Sequence, residues 1–215
     1  VASVWLAALR GARVDPWVVA ISGATGSVYA KRLIEALRNY GEQICLVISE
    51  PGRRVARDEL DWDLTGDTQV DQERIRHYCG YQPGEEGLSC YDWQDIGCSL
   101  ASGSFQTQGM MVVPCSMATL AGIAAGSSRN LIERAADVTI KERRRLILVT
   151  RETPLSPIHL RNMLTLADLG ASIVPPMPAF YCKPRDIDDL VDFFVRRVLQ
   201  LAGYRQDASD FYSGA

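Results

Sequence analysis

The chain has only two histidines, His77 and His159, and they are not spaced as metal ligands. Its six cysteines, at 45, 79, 90, 98, 115 and 182, form no CxxC pair. Without paired spacing they read as reduced thiols, which suits a cytoplasmic protein, and neither a zinc site nor a disulfide framework is expected. There is no excess of positive charge: the formal net charge is -3, which argues against a nucleic-acid surface. No apolar run is long enough to span a bilayer, so no membrane role is expected. Even the apolar start, Val1 to Leu9, is too short, and it lacks the basic leader of a signal peptide. Internal repeats and low-complexity tracts are also missing, and so is a full GxGxxG fingerprint.

What is present is alternation. Apolar runs of strand length occur at Trp17–Ile21, Ile44–Ile48, Met110–Val113, Leu146–Thr150 and Ala171–Val174. Helical periodicity lies between them, at Val28–Leu37, Arg54–Leu60, Leu120–Ala125, residues 130–144, Pro157–Leu169 and Ile187–Leu201. Pro51-Gly52 reads as a break in the chain. Ser127 or Ser128 reads as the cap of the helix over 130–144. The stretch from Asp61 to Gly97 is polar and turn-rich, with room for a short helix over Gln69–Tyr78. Continuous apolar strands alternating with helices predict an α/β fold: a parallel sheet with helices on both faces, in a single domain. The expected boundaries are an N-terminal extension over 1–16, the domain over 17–203 and a tail over 204–215.

In such sheets, ligands sit off the carboxyl ends of the strands. Gly23-Ala24-Thr25-Gly26 follows the first strand, where backbone N–H groups and a helix N-terminus favour an anion or a flavin edge. Ser49 ends the second strand, and Ser116-Met117-Ala118-Thr119 follows the third. Small hydroxyl residues at three strand ends suggest one shared crevice. The fourth strand ends on Arg151-Glu152, a cation and a carboxylate. Arg134 and Lys141 are seven residues apart, two helical turns, and so share a face. Together they suggest a phosphate cradle beside an acid/base group. Glu142 reads as a solvated helix residue, Cys115 as a packed thiol in an apolar setting, and His159 as a helix histidine rather than a base.

Several motifs occur in order: Val19 to Gly26, Ala101-Ser-Gly-Ser104, Pro114-Cys-Ser116, the segment 130–144, Arg151-Glu-Thr-Pro154, His159-Leu-Arg-Asn-Met163 and Pro178-Ala-Phe-Tyr181. Together they resemble the UbiX-type flavin prenyltransferases. The resemblance implies a flavodoxin-like or Rossmann-like sheet and a homo-oligomer, a dodecamer in the family. It also implies transfer of a dimethylallyl group from dimethylallyl monophosphate to N5 and C6 of reduced FMN, without a metal. The prenylated FMN then serves UbiD-type decarboxylases.

By the same resemblance, Gly23, Ala24, Thr25, Ser49, Ser116, Met117, Ala118, Thr119 and Arg151 match FMN-binding positions. Arg134, Lys141 and Glu152 match residues around the prenyl phosphate. Tyr181 and Arg197 match phosphate contacts from a neighbouring subunit. Glu59 matches a catalytic acidic position, and Trp93 an aromatic shielding the prenyl group. The chain departs from the family at Thr25, where serine is usual, and at Cys182, where histidine is frequent. Two alternatives stand beside this reading. One is a flavin-dependent cysteine decarboxylase of the same superfamily, which would carry an early histidine. The other is a non-catalytic flavin-binding subunit of a decarboxylase.

Overall fold

Four of the five apolar runs form the interior of a six-stranded, all-parallel sheet in the order β3-β2-β1-β4-β5-β6, and the fifth supplies the half-buried edge strand β6. The computed structural model describes residues 15–205, and expectations for the two chain ends beyond them lie outside the described residues. The strands are β1 (Trp17–Ile21), β2 (Ile44–Ile48), β3 (Leu88–Tyr91), β4 (Gly109–Cys115), β5 (Arg145–Thr150) and β6 (Ser172–Ile173). The helices are α1 (Ser27–Asn39), α2 (Glu50–Leu60), α3 (Thr68–Tyr78), α4 (Met117–Ala124), α5 (Leu131–Lys141), α6 (Pro157–Asp168) and α7 (Ile187–Ala202). Short 3-10 turns lie at Ser99–Ala101 and Phe180–Cys182.

Both faces of the sheet are covered, which is why its central strands read as unbroken apolar runs rather than alternating ones. Trp17, Val19 and Ile21 pack with Leu33 and Leu37 of α1, Ala56 of α2, Ile75 of α3 and Val195 of α7. Val18 and Ala20 point the other way and pack with Leu120 of α4, Ala135 and Ala136 of α5 and Leu166 of α6.

Three sequence expectations need correction. First, Asp61 to Gly97 is not all excursion: Leu88–Tyr91 pairs in parallel with β2 as β3. It sits at the sheet edge and only Leu88 is buried, so it carries little of the apolar signal of a central strand. Second, Pro51-Gly52 does not break the chain but lies in the first turn of α2. Ser49 caps that turn by accepting from Gly52 N at 3.1 Å. Proline fits this position because the first helical N–H groups have no intrahelical partner. Third, α5 is capped by Asn130, whose side chain accepts from Glu133 N at 3.0 Å. Ser127 and Ser128 instead belong to the stop of α4, with Ser127 N on Gly122 O and Ser128 at φ 50. The helix also ends at Lys141, before the expected Arg144.

The chain winds from β1 outward to β3, returns to β4, and then winds outward to β6. The strand order therefore reverses between β1 and β4, and a crevice opens at that switch point. Its floor is tightly tied. The Ser22 hydroxyl donates to Pro114 O at 2.9 Å and accepts from Ser116 N at 2.8 Å. Ser49 N donates to Ile21 O, and Arg151 N to Cys115 O.

Two expected outcomes follow from this packing. A Cβ at Gly52 would lie 2.6 Å from the Ile21 carbonyl oxygen, a backbone atom that cannot turn aside. Alanine in a helix gains up to about 1 kcal/mol over glycine, but overpacking costs about 1–3 kcal/mol. Gly52→Ala should therefore lower stability in denaturant unfolding. Cys115, fully buried at the end of β4, has its thiol pushed up to about 12 by burial. At about pH 8, where an ordinary thiol is partly ionised, a thiol reagent should leave native Cys115 unlabelled and label it after unfolding. Because burial favours the neutral thiol, its contribution to stability is complete below the unfolded value. It falls as pH rises from there towards 12.

Candidate active site

The crevice encloses about 480 Å³ off the ends of β1, β2 and β4. Gly23, Ser49, Trp93, Ser116, Ala118 and Thr119 all line it, so three strand ends do contribute to one site. Ala24 and Met117 are buried just behind that surface. A larger hollow of about 760 Å³ lies elsewhere, reaching Asp15, Gln43 and Gln106 near the amino ends of the strands, and contains none of the candidate residues.

Close packing shapes the β1 side. A Cβ on Gly23 would lie 2.4 Å from Pro51 Cβ, so the turn presses directly on the start of α2. The turn's helix end is already occupied by an anion. Glu59, from the last turn of α2, accepts from Gly26 N at 3.0 Å and from Ser27 N at 2.7 Å, and it also takes the Thr25 hydroxyl. Helix α1 has no side-chain cap of its own, and the Glu59 carboxylate serves as one, set against the positive end of the helix. The expectation that this helix start receives a ligand anion is therefore corrected for Gly26 and Ser27. The N–H groups of Gly23 and Thr25 have no partner among the described residues.

The β4 side is different. Ser116 caps α4, accepting from Thr119 N at 3.3 Å and donating to the Thr119 hydroxyl at 3.1 Å. The N–H groups of Met117 and Ala118, at the start of this helix, have no intrahelical acceptor. Trp93 is half-buried, and its carbonyl accepts from Leu131 N at 2.7 Å, which ties its backbone to the start of α5. With Ile132 it makes an apolar wall to the crevice.

None of the four residues of the expected cradle, Arg134, Lys141, Arg151 and Glu152, lines the crevice of the single chain. Helix α5 starts beside Trp93 and ends just before Arg145, at the amino end of β5, so it runs away from the crevice. Arg134 and Lys141 do share a side of it. Arg134 Nε donates to Ala101 O at 3.1 Å, and its other arm pairs with Asp137 at 2.8 Å. A Cβ at Gly103, in the same loop as Ala101, would lie 2.7 Å from Lys141 Nζ. Glu142 is not simply solvated: it takes the Lys141 ammonium at 2.6 Å, a hydrogen bond that holds its carboxyl below the usual range.

Arg151 and Glu152 are exposed at the end of β5, and Glu152 accepts from Thr153 N at 2.9 Å. Tyr181 packs edge-on against Phe193 at 5.6 Å. Arg197 lies one turn further along α7 and donates to Gln200. None of these four lines the crevice. His159 forms a capping box with Ser156 at the start of α6, accepting from Ser156 N at 3.2 Å.

Sequence reasoning missed Arg129, Asn130 and Glu133 on the crevice wall. Glu133 is 3% exposed and accepts from Arg129 N, Nε and NH2. That pairing raises the pKa of the guanidinium. The available signal was Asn130-Leu-Ile-Glu133, a cap residue followed by glutamate at the third helical position.

Comparison with known proteins points to one family. The family model described as Flavoprotein matches residues 8–199. A flavin prenyltransferase UbiX of Synechocystis is 46% identical over 189 residues, covering 87% of this chain and 91% of the relative. A crystal structure of AnUbiX (PadA1) in complex with FMN and dimethylallyl pyrophosphate is 42% identical. It covers 93% of this chain and 96% of that one, with a TM-score of 0.79. A dodecameric FMN-dependent UbiX-like decarboxylase from Escherichia coli O157:H7 is 39% identical, covering 90% and 96% of the two chains, with a TM-score of 0.78. With a parallel sheet, a crevice at its switch point and identity at this level along most of its length, the chain belongs to the UbiX flavin prenyltransferase family.

Proposed function

We propose that the crevice holds FMN and that the chain prenylates it, using dimethylallyl phosphate as donor. The observation that carries this is the gathering of Gly23, Ser49, Ser116, Thr119 and Trp93 around one cavity in a member of this family. The residues suit the group. Hydroxyls and helix-start N–H groups can meet a phosphate and a ribityl chain, while Trp93, Ile132 and Ala118 offer a flat apolar wall to a ring. Reduced FMN would supply the nucleophilic N5 and then C6 as bond-forming atoms.

The protein's share is electrostatic and protective. Phosphate leaves as the allylic C–O bond breaks, and cations must meet the charge that gathers on it. Arg134, Lys141, Arg151 and Arg197 are the candidates. Trp93 shields the allylic fragment from water and faces its positive charge with a π-surface. Closing the second bond releases a proton, for which the exposed Glu152 carboxylate is suited. Glu59 is bound up with Thr25 and the helix start, so it would act by orienting the Thr25 hydroxyl.

These cations are dispersed over one copy, so a complete phosphate site requires a second copy. Exposed apolar side chains support such assembly: Ile158, Leu160 and Leu164 on α6, with Met177 and Phe180 beyond β6. We therefore read the protein as a homo-oligomer, a dodecamer as described for the Escherichia coli relative, with sites at subunit junctions. The product would pass to a UbiD-type decarboxylase. Six free thiols fit a reducing, cytoplasmic setting. Residues 17–203 would form the flavoprotein domain between an N-terminal extension and a short tail.

Anaerobic incubation with reduced FMN and dimethylallyl phosphate, followed by mass spectrometry of the flavin, tests the function. The flavin should gain one isoprene unit, and an unchanged mass would overturn the reading. Glu152→Gln should keep flavin binding and lower turnover by roughly 10²-fold or more, the scale for losing a proton-transfer group. Glu142→Gln, which releases the Lys141 ammonium, should instead shift KM for the prenyl donor. Steady-state kinetics on flavin-loaded protein separates the two.

A further inference from the structure

Glu133 is a carboxylate buried in the wall of an open crevice. An uncompensated carboxylate there would be strongly disfavoured. It is compensated by one neighbour: Arg129 reaches it through its backbone N at 3.0 Å, Nε at 3.3 Å and NH2 at 3.0 Å. Glu133 is also the third residue of α5, where the helix dipole favours a negative charge. Its place is set by close packing, since a Cβ on Gly122 of α4 would lie 2.3 Å from Glu133 Oε1. The carboxylate is therefore a fixed brace between α4 and α5, and the guanidinium it holds inherits that fixed position.

Arg129 itself is 68% exposed, and its NH1 has no partner among the described residues. Among the described residues that line the crevice, it is the only cation. The same crevice wall carries the start of α4, with the Ser116 and Thr119 hydroxyls and the unpartnered N–H groups of Met117 and Ala118. The other helix start nearby, that of α1, is already occupied by Glu59. A guanidinium and a helix N-terminus on one cavity are both suited to a phosphate group.

We propose that Arg129 is the phosphate anchor of this crevice, with Glu133 as its positioning residue. The ligand group is a phosphomonoester, supplied either by FMN or by the prenyl donor. The inference rests on the crevice being the flavin site. If Arg129 served only to neutralise Glu133, its loss would affect stability without distinguishing ligands that differ by a phosphate.

The test compares wild type, Arg129→Ala and Arg74→Ala. The last makes the same change in net charge on α3, away from the crevice. Kd for FMN and for riboflavin is read from flavin fluorescence, and KM for dimethylallyl phosphate from flavin-saturated protein. Losing a hydrogen bond to a charged group should weaken FMN binding by roughly 10-fold or more in Arg129→Ala, with riboflavin binding and Arg74→Ala unchanged. That result assigns the flavin phosphate. A comparable rise in donor KM with FMN affinity unchanged assigns the donor phosphate instead. Equal effects on FMN and riboflavin with no change in donor KM overturn the proposal. Wild-type protein that binds neither flavin overturns the flavin-site reading itself, a different and separately visible failure.

Discussion

The close approach between the end of β1 and its neighbours governs the whole site. Ser22 is buried where β1 ends, and its single hydroxyl both donates to the β4 backbone and accepts from the start of the β4–α4 connection. Immediately beyond it, Gly23 presses on Pro51, and Gly52 rests against the Ile21 carbonyl. A side chain at either glycine would wedge the β1 and β2 loops apart. Because both positions lack one, the ends of three strands converge at the point where the sheet order reverses. Small residues are needed here for lack of space, since Gly23 and Gly52 do not adopt the left-handed backbone that glycine otherwise permits.

Charge is distributed around that floor by the same logic. A helix start left empty attracts an anion. At α1 the protein supplies its own, Glu59, drawn from the far end of α2. At α4 it supplies only hydroxyls: Ser116 takes the Thr119 N–H, and the N–H groups of Met117 and Ala118 are left without an intrahelical acceptor. The buried Glu133 would oppose a ligand anion were it not neutralised by Arg129. One anion thus closes a helix start, while the other fixes a cation beside an open one.

The remaining cations follow from helix direction. In a parallel sheet each connecting helix runs back towards the amino ends, so α5 carries Lys141 away from the crevice its first turn helps to build. Arg197, well along α7, is likewise remote from it. On the proposed reading, such a cation set would serve one phosphate across copies, and the apolar side chains exposed on α6 and after β6 are suited to such contacts.

The periodicity of burial was legible in the chain itself. Four of the strands have both faces covered, so each appears as an apolar run, and the helices between them show a repeated apolar stripe. That much fixes a parallel sheet, and with it the hydroxyl residues at strand ends. Local chemistry was misleading where a residue's role depends on something distant. Pro51-Gly52 looks like a break until Ser49 caps the turn and Ile21 leaves room only for glycine. Leu88–Tyr91 looks like loop because an edge strand buries one residue, and backbone pairing to β2 leaves no mark in composition. Ser127 and Ser128 are as good a cap by type as Asn130, and only the end of α4 decides between them. Glu59 and Glu133 are both glutamates on helices. Which of them would hold the glycine turn, and which would brace an arginine at the crevice, was settled by contacts across the fold, because hydrogen-bond geometry and desolvation depend on neighbours that chain order does not specify.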